Sequence, residues 1–322
     1  MINMKTTPLQ CSIVIRAFNE GKYISRLLEG IRQQTLHGVQ VILVDSGSSD
    51  DTLKIATGFG AEIVTIAPEE FTFGRALNRG IQAARADIIV IVSAHCHPVF
   101  PDWLEQLLKP FQDEHVALSY GKQRGGETNP YSEKQFFRKY FPETSQPYQG
   151  QPYSHNANTA IRKKLWQMQP FNEHLTGLED LSWSSWAMSQ DYAIAYTAEA
   201  EVIHVHDERP RQVYKRFQRE AIAMKQILPD SHFNLWNFFR LAVGSTLSDL
   251  LQARREGVLS KNITGIIWYR LVQYWGTYCG YASAGKMDVR LQYTFYYPPG
   301  ILADKISRQR PVKPIDYAKK DG

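Results

Sequence analysis

Apolar positions in the first hundred residues come in short continuous runs, mostly β-branched, broken by polar turns. Residues 88–92, all Ile or Val, form one such run, and others lie at 11–18, 39–45 and 62–66. Runs of this length without alternation read as strands buried on both faces, as inside a parallel sheet. Between them the spacing changes. Ile24, Leu27, Leu28 and Ile31 recur with the period of a helix over 23–33, the polar loop 46–51 leads into another, and a third is predicted at 76–84. Strand and helix thus alternate four times before residue 100, the mark of a parallel α/β sheet.

Past Pro98 the pattern predicts a helix carrying Trp103, Leu104, Leu107 and Leu108, then a strand at 116–120. Residues 121–152 are rich in Gly, Pro, Gln and Tyr, show little period, and read as a long loop. Order resumes at 155–161. Thr176-Gly-Leu-Glu-Asp180 precedes a helix with Leu181, Trp183, Trp186 and Ala187, and short strands are predicted at 193–196 and 200–206. From Arg211 the character changes: a basic helix runs to 227, and two long apolar-aromatic helical patterns, 233–251 and 263–281, flank the charged Ala253-Arg-Arg-Glu-Gly. The tail after Arg290 is aromatic, proline-rich and basic, and is expected to be loosely ordered.

Composition narrows the classes. A chain of 322 residues, 43% hydrophobic, has room for one large α/β domain with an appendage. The net charge of +5 is spread without a block that resembles a nucleic-acid arm, so nucleic acid is not an expected partner; a basic surface suits anionic lipid or nucleotide phosphate. The three cysteines, Cys11, Cys96 and Cys279, are far apart and lack metal-ligand spacing, which fits a reducing cytoplasm. The first residues lack the apolar core of a signal peptide, and no run of about 18 apolar residues occurs, so no membrane span is expected.

Chemistry is expected beyond the carboxyl ends of the strands, where open α/β sheets bind ligands. The central strand ends in Ser93-Ala94-His95-Cys96-His97 before Pro98. Asp45, at another strand tip, is placed to accept the imide N–H of uracil or thymine, or to cap the next helix. Glu20 follows the first strand and is suited to a ribose or base, or is an ordinary turn acid. Arg75 and Arg79, one turn apart, match a diphosphate or a solvated face. A nucleotide laid across Ala17, Glu20, Asp45 and the Ser93, Ala94, His95 tip would touch successive loops of one sheet.

Ser12-Ile-Val-Ile-Arg-Ala-Phe-Asn-Glu, Val41-Ile-Leu-Val-Asp-Ser-Gly-Ser-Ser-Asp-Asp-Thr, Phe73-Gly-Arg-Ala-Leu-Asn-Arg-Gly, Leu178-Glu-Asp180 and Val202-Ile-His-Val-His206 occur in that order. The set resembles the family 2 glycosyltransferases, in particular rhamnosyltransferase-like members, over about residues 12–224. The resemblance implies a GT-A nucleotide-sugar-binding fold: a Rossmann-like, mostly parallel sheet in a domain at 8–225, followed by a helical C-terminal segment and basic tail at 226–322. It implies inverting sugar transfer from a UDP- or dTDP-sugar to a hydroxyl of a glycan or lipid-linked glycan, in bacterial surface polysaccharide or glycolipid assembly. Asp180 matches the family's catalytic base, and Glu179 would bind the acceptor or position the loop. Arg211 and Arg216, with Lys215 and Arg219 beside them, would reach the leaving diphosphate, or else form a lipid-facing or solvated basic face.

One motif departs from the family. Its Asp-x-Asp metal loop is Ser93-Ala94-His95 here, which removes two negative charges and weakens the case for Mg²⁺. Two readings stay open: a divalent cation, Mn²⁺ rather than Mg²⁺, on His95 and His204, or a metal-independent mechanism in which His95 meets a phosphate oxygen directly. The departure also keeps alive a non-catalytic nucleotide-sugar-binding protein. A sugar nucleotidyltransferase is the other rival, although that class wants a Gly-rich basic loop where this chain has Arg-Ala-Phe-Asn-Glu-Gly. The aromatic C-terminal helices imply contact with the inner face of a membrane by a cytoplasmic, peripheral protein; packing on the catalytic domain or in a homodimer is the alternative.

Overall fold

The computed structural model describes residues 9–283 and 312–317. One eight-stranded sheet organises it: β1 (Cys11–Ala17), β2 (Val39–Asp45), β3 (Glu62–Thr65), β4 (Ile88–Ser93), β5 (Cys96–Pro98), β6 (Val116–Gly125), β7 (Asn158–Arg162) and β8 (Ala193–His204). The strand order is β3-β2-β1-β4-β7-β6-β8-β5. The first four neighbours are parallel, β7 runs antiparallel to both β4 and β6, β8 is parallel to β6, and β5 is antiparallel to β8. The strands of the amino-terminal half carry apolar residues on both faces because both are covered. Val14, Ile42, Leu77 and Ile89 belong to one core, and Ile13, Ile15, Leu27, Leu43 and Val90 to the other. Helices α1 (Ile24–Arg32), α2 (Thr52–Gly58), α3 (Phe73–Ala83) and α4 (Trp103–Leu108) supply much of that cover.

The predicted central strand is β4, but the polar tip that follows it forms a second strand, β5, in which Pro98 still pairs with Val202. Ala94 and His95 alone separate β4 from β5, yet β5 lies four places away in the sheet, at its edge beside β8. Only a sheet curled back on itself allows so short a link. The loop expected at 121–152 is also corrected. Strand β6 runs on to Gly125, and α5 spans Tyr131–Tyr140. The polar stretch Lys122, Gln123 and Arg124 is paired with residues distant in sequence: Lys122 with Glu143 and Glu201, Arg124 with Glu201, and Gln123 with His204. A hydrophobic pattern carries no trace of such pairing. The two short strands predicted at 193–196 and 200–206 are one, β8, which continues through Thr197, buried with its Oγ1 3.3 Å from Ser119 Oγ on β6.

After α6 (Lys163–Met168) and α7 (Glu179–Ser189), the chain builds α8 (Pro210–Ile227), α9 (Leu235–Arg255) and α10 (Leu259–Ala282). Gly257, with φ of 71°, turns α9 into α10 in the left-handed conformation that glycine adopts freely. Arg270 ties this pair together with a two-pronged bond to Asp249, both buried, and a further bond to the Ser132 carbonyl of α5. Helix α8 lies against α10 at Gly276 and Gly280, where a Cβ would meet the Tyr214 carbonyl at 2.5 Å and the Gln218 carbonyl closer still. No helix among the described residues is long and apolar enough to cross a membrane. The tail beyond Arg290 lies outside the described residues except 312–317, where the Tyr317 hydroxyl donates to the Pro98 carbonyl and the Ile315 N–H to Val99.

Gly276→Val should force α8 from α10. Overpacking of this kind costs about 1–3 kcal/mol, and the expected outcome is a lower denaturant midpoint in equilibrium unfolding.

Candidate active site

Register places the first part of the site. Ala17 is level with Asp45 on β2, and Arg16 with Ser93 on β4. Neighbouring strands stand about 4.8 Å apart, so the tips of β2, β1 and β4 span roughly 10 Å, within reach of one nucleotide. Asp45 is buried. Its Oδ2 accepts the N–H groups of Gly47 and Ser48 at 2.9 and 3.0 Å, as an acid closing the turn, and its Oδ1 is buried without a partner. A carboxylate oxygen in that condition awaits a donor. The turn after β1 is stitched to the same loop: Glu20 N–H donates to Thr52 Oγ1 and Gly21 N–H to Asp50 Oδ2.

Three imidazoles meet where the sheet curls. His95 Nε2 lies 3.1 Å from His204 Nε2, and the His206 ring is 4.2 Å from that of His204. One nitrogen from each of the three lies within 4.8 Å of the others. Each ring is also fixed at Nδ1 by an oxygen from elsewhere in the chain: His95 by Glu20 at 2.8 Å, His204 by Gln123 at 2.7 Å and His206 by Glu133 at 2.8 Å. Burial opposes a charged His95, but the Glu20 carboxylate overcomes it and the pKa moves up. Burial, reinforced by His206 and His95, holds His204 well below the ordinary value. With its Nδ1–H donated to the Gln123 oxygen, His204 offers Nε2 as an acceptor towards His95 Nε2. A divalent ion there would be held by ring nitrogens of His95, His204 and His206. An Nδ1 bound to oxygen is the usual support of a metal-ligating histidine. The donor set fits Mn²⁺ or a softer ion better than Mg²⁺.

The carboxylate pair sits opposite, at the start of α7, after Leu178 in the left-handed conformation. Asp180 Oδ2 accepts Asn156 N–H at 3.0 Å and Oδ1 accepts Leu181 N–H at 2.8 Å. Glu179 Oε1 accepts Asn156 Nδ2–H at 3.2 Å and Arg16 Nη1–H at 3.4 Å. Both side chains are buried, and burial pushes both carboxyl groups above their ordinary range against the pull of Arg16. The Arg16 and Arg219 guanidiniums lie 4.7 and 4.5 Å from the Phe73 ring centre, and Arg219 Nε is buried without an acceptor.

The remaining arginines lie elsewhere or are engaged. Arg75 donates to Glu173 at 2.7 Å and to the Glu70 carbonyl, which ties α3 to the loop before α7; Arg79 is exposed. Arg216 is paired with Glu133 and Glu208 at 2.5 and 2.6 Å. Arg211 is exposed at the rim of an apolar cleft between α8 and the α9–α10 pair. Ala94 is fully buried between β4 and β5.

Residues 12–168 match the family model described as Glycosyl transferase family 2. The chain carries a family 2 glycosyltransferase domain. It is similar to the O-antigen chain rhamnosyltransferase WbaN of Salmonella anatum, 28% identical over 64% of this chain and 69% of that protein. The same holds for RfbN of Salmonella typhimurium, 25% identical over 65% and 70%. In fold it resembles a mannosyltransferase from Pyrobaculum calidifontis, solved with GDP-Man and Mn²⁺, at a TM-score of 0.57 and 16% identity over 90% of this chain and 87% of that one. The fold is GT-A and the activity is glycosyl transfer from a nucleotide-sugar donor.

Five residues of the glycosyltransferase site have no role that the sequence pattern assigns: Arg16, Gln123, Glu133, Asn156 and His206. Two had a visible signal: Arg16 precedes the strand-tip Ala17, and His206 stands two residues after His204, the interval that returns a strand to one face. Gln123 and Glu133 had none, since they lie in the stretch read as loop. Glu133 is buried against His206, Arg216, Asn129 and Tyr269. Burial pushes its pKa up, but the contacts with His206 and Arg216 draw it down overall. Removing one partner from such a group costs about 3–5 kcal/mol, so Glu133→Ala should lower the thermal unfolding temperature far more than an exposed acid-to-alanine change.

Proposed function

We propose that the enzyme transfers a deoxyhexose, with inversion, from a pyrimidine nucleotide-diphosphate donor to a hydroxyl of a lipid-linked glycan. The observation that carries this reading is the convergence of an unpartnered Asp45 oxygen, an unpartnered Arg219 nitrogen, three oriented imidazoles and a buried Glu179–Asp180 pair around the ends of β2, β1, β4 and β8. The Salmonella relatives' names, O-antigen chain rhamnosyltransferases, support a deoxyhexosyl donor and a saccharide acceptor.

In this reading the base imide donates to Asp45 Oδ1 and the diphosphate lies along Ser93 and His95. Asp180 takes the acceptor hydroxyl proton as that oxygen forms its bond to the anomeric carbon. The bond from that carbon to the diphosphate oxygen breaks on the opposite face, and the nucleotide leaves with the electron pair. Arg219 and Arg16, backed by Phe73, meet the negative charge that develops there. Glu179, held by Asn156 and Arg16, positions the acceptor. A divalent ion on His95, His204 and His206 would add positive charge beside the leaving group. Arg216, held at Nη2 by Glu133 and Glu208, keeps its buried Nε without an acceptor and adds positive charge on the same helix. The catalytic domain is drawn to about residue 225 so that α8, which bears Arg216 and Arg219, belongs to it.

Asp180→Asn should lower turnover by about 10²–10⁴-fold while the donor still binds, measured by single-turnover kinetics beside calorimetry. Because burial raises the Asp180 pKa, the base is lost as pH falls through a value above the ordinary carboxylate range. The acidic limb of the pH–rate profile should lie there and vanish in Asp180→Asn. An unchanged limb would remove Asp180 from the role.

Mn²⁺ should bind the protein, detected by the loss of its free electron-spin-resonance signal. His204→Ala should weaken that binding by about 10-fold or more, the scale seen when metal-site support is removed. Full activity in excess EDTA, with no Mn²⁺ binding, would favour direct phosphate recognition by His95.

A further inference from the structure

Among the described residues nothing covers one apolar face of the α9–α10 hairpin. Phe239, Val243, Leu247 and Leu251 fall at successive fourth positions of α9, and each is more than half exposed; Trp236, at 71%, begins the same stripe. Ile263, Ile267, Leu271 and Trp275 repeat the spacing on α10. Trp275 touches Phe238 with ring centres 5.5 Å apart, so the second stripe adjoins α9. Side chains of this size and exposure present on the order of 1,000 Å² of surface, above the roughly 300–600 Å² of the largest patch on an ordinary monomer.

Charge selects the occupant. Arg240, Arg254, Arg255 and Lys261 are exposed on the hairpin. The acids between 235 and 283 are Asp249 and Glu256. Asp249 is buried against Arg270, and Glu256 is bound to Arg138 and Tyr131 of α5. The exposed cations are therefore not matched by acids of the hairpin itself. A second copy meeting this face symmetrically would bring like charges together, whereas anionic headgroups neutralise them while the apolar side chains enter the acyl boundary.

We infer that the exposed face of the α9–α10 hairpin docks the enzyme on an anionic lipid bilayer. The cleft beside it, about 470 Å³ and lined by Tyr214, Phe238, Leu271 and Trp275 with Arg211 at its rim, opens on the same stripe. A lipid phosphate held by Arg211 would lay its chain against those rings. The inference rests on the proposed function only in that a lipid-linked acceptor gives docking its use.

The test is flotation of the full chain with vesicles of phosphatidylethanolamine and phosphatidylglycerol, against phosphatidylcholine alone, at low and physiological salt. Wild type should float with the anionic vesicles, at least about tenfold better than with the neutral ones, and less as salt rises. The double variant Trp236→Glu, Val243→Glu changes two exposed side chains and should lose at least about tenfold in partitioning, with turnover on a water-soluble saccharide acceptor unchanged. Wild type that stays unbound at both salts overturns the inference. So does a double variant that floats like wild type, or a wild-type dimer in sedimentation that the same substitutions dissolve. Turnover on the soluble acceptor keeps the readings apart: its absence in wild type counts against the proposed transfer and leaves the flotation result standing.

Discussion

Two residues, Ala94 and His95, join strands that stand four places apart in the sheet. That link can close only if the sheet curls, and the curl brings the end of β8 to the end of β4. The register follows: Cys96 faces His204 on β8, and His95, one residue earlier, has its ring against His204 rather than in solvent. His206 and, through it, Glu133 of α5 and Arg216 of α8 are drawn to the same point. The candidate site is thus a consequence of sheet geometry first, and of side-chain chemistry second.

Burial then dictates the chemistry. Ionisable groups gathered below the surface are tolerated only when charge is matched and hydrogen bonds are made. The chain lacks the paired carboxylates of Asp-x-Asp at the loop itself, but negative charge has not left the site. It stands one layer back, in Glu20 behind His95 and Glu133 behind His206. An imidazole backed by a carboxylate carries that charge through its ring, so Ser93-Ala94-His95 is a rearrangement of the electrostatics rather than their loss. The same accounting extends to the arginines. Arg216 is bound by two acids, whereas Arg219 stacks on the Phe73 ring, and each keeps a buried Nε without an acceptor.

The amino-terminal half of the fold was legible because one physical signal dominates there. Strands covered on both faces must be apolar throughout, and Ile13–Ile15 or Ile89–Val92 could be little else. Asp45, His95 and the Glu179–Asp180 pair were legible as polar residues at the ends of such runs or at a helix start. What escaped was set by partners far along the chain. Lys122, Gln123 and Glu201 sit inside strands only because each meets its counterpart across the sheet. The helical spacing of 211–227 was plain, but not which side of that helix faces the site. Gly276-Thr-Tyr-Cys-Gly280 carried a signal for close helix packing that periodicity of large apolar residues does not reveal.

Helix α8 is where the two halves of the molecule become one device. At 100° per residue, Arg216 and Arg219 lie on a different side of α8 from Tyr214 and Gln218, and the structure uses both sides. The first turns to Glu133 and Phe73, the second to Gly276 and Gly280 of α10. Because glycine lets the backbones touch there, no long side chain cushions the contact, and α8 cannot shift against α10 without breaking close packing. The bond of Arg270 to Asp249 and to the Ser132 carbonyl fixes α9 and α5 to the same frame. The outer face of the hairpin therefore holds a constant orientation to Asp180 and the imidazoles. A surface that docks on the outer face sets the height and angle of the catalytic cleft above it, and that is the condition for an acceptor hydroxyl tethered to the same surface to meet its base.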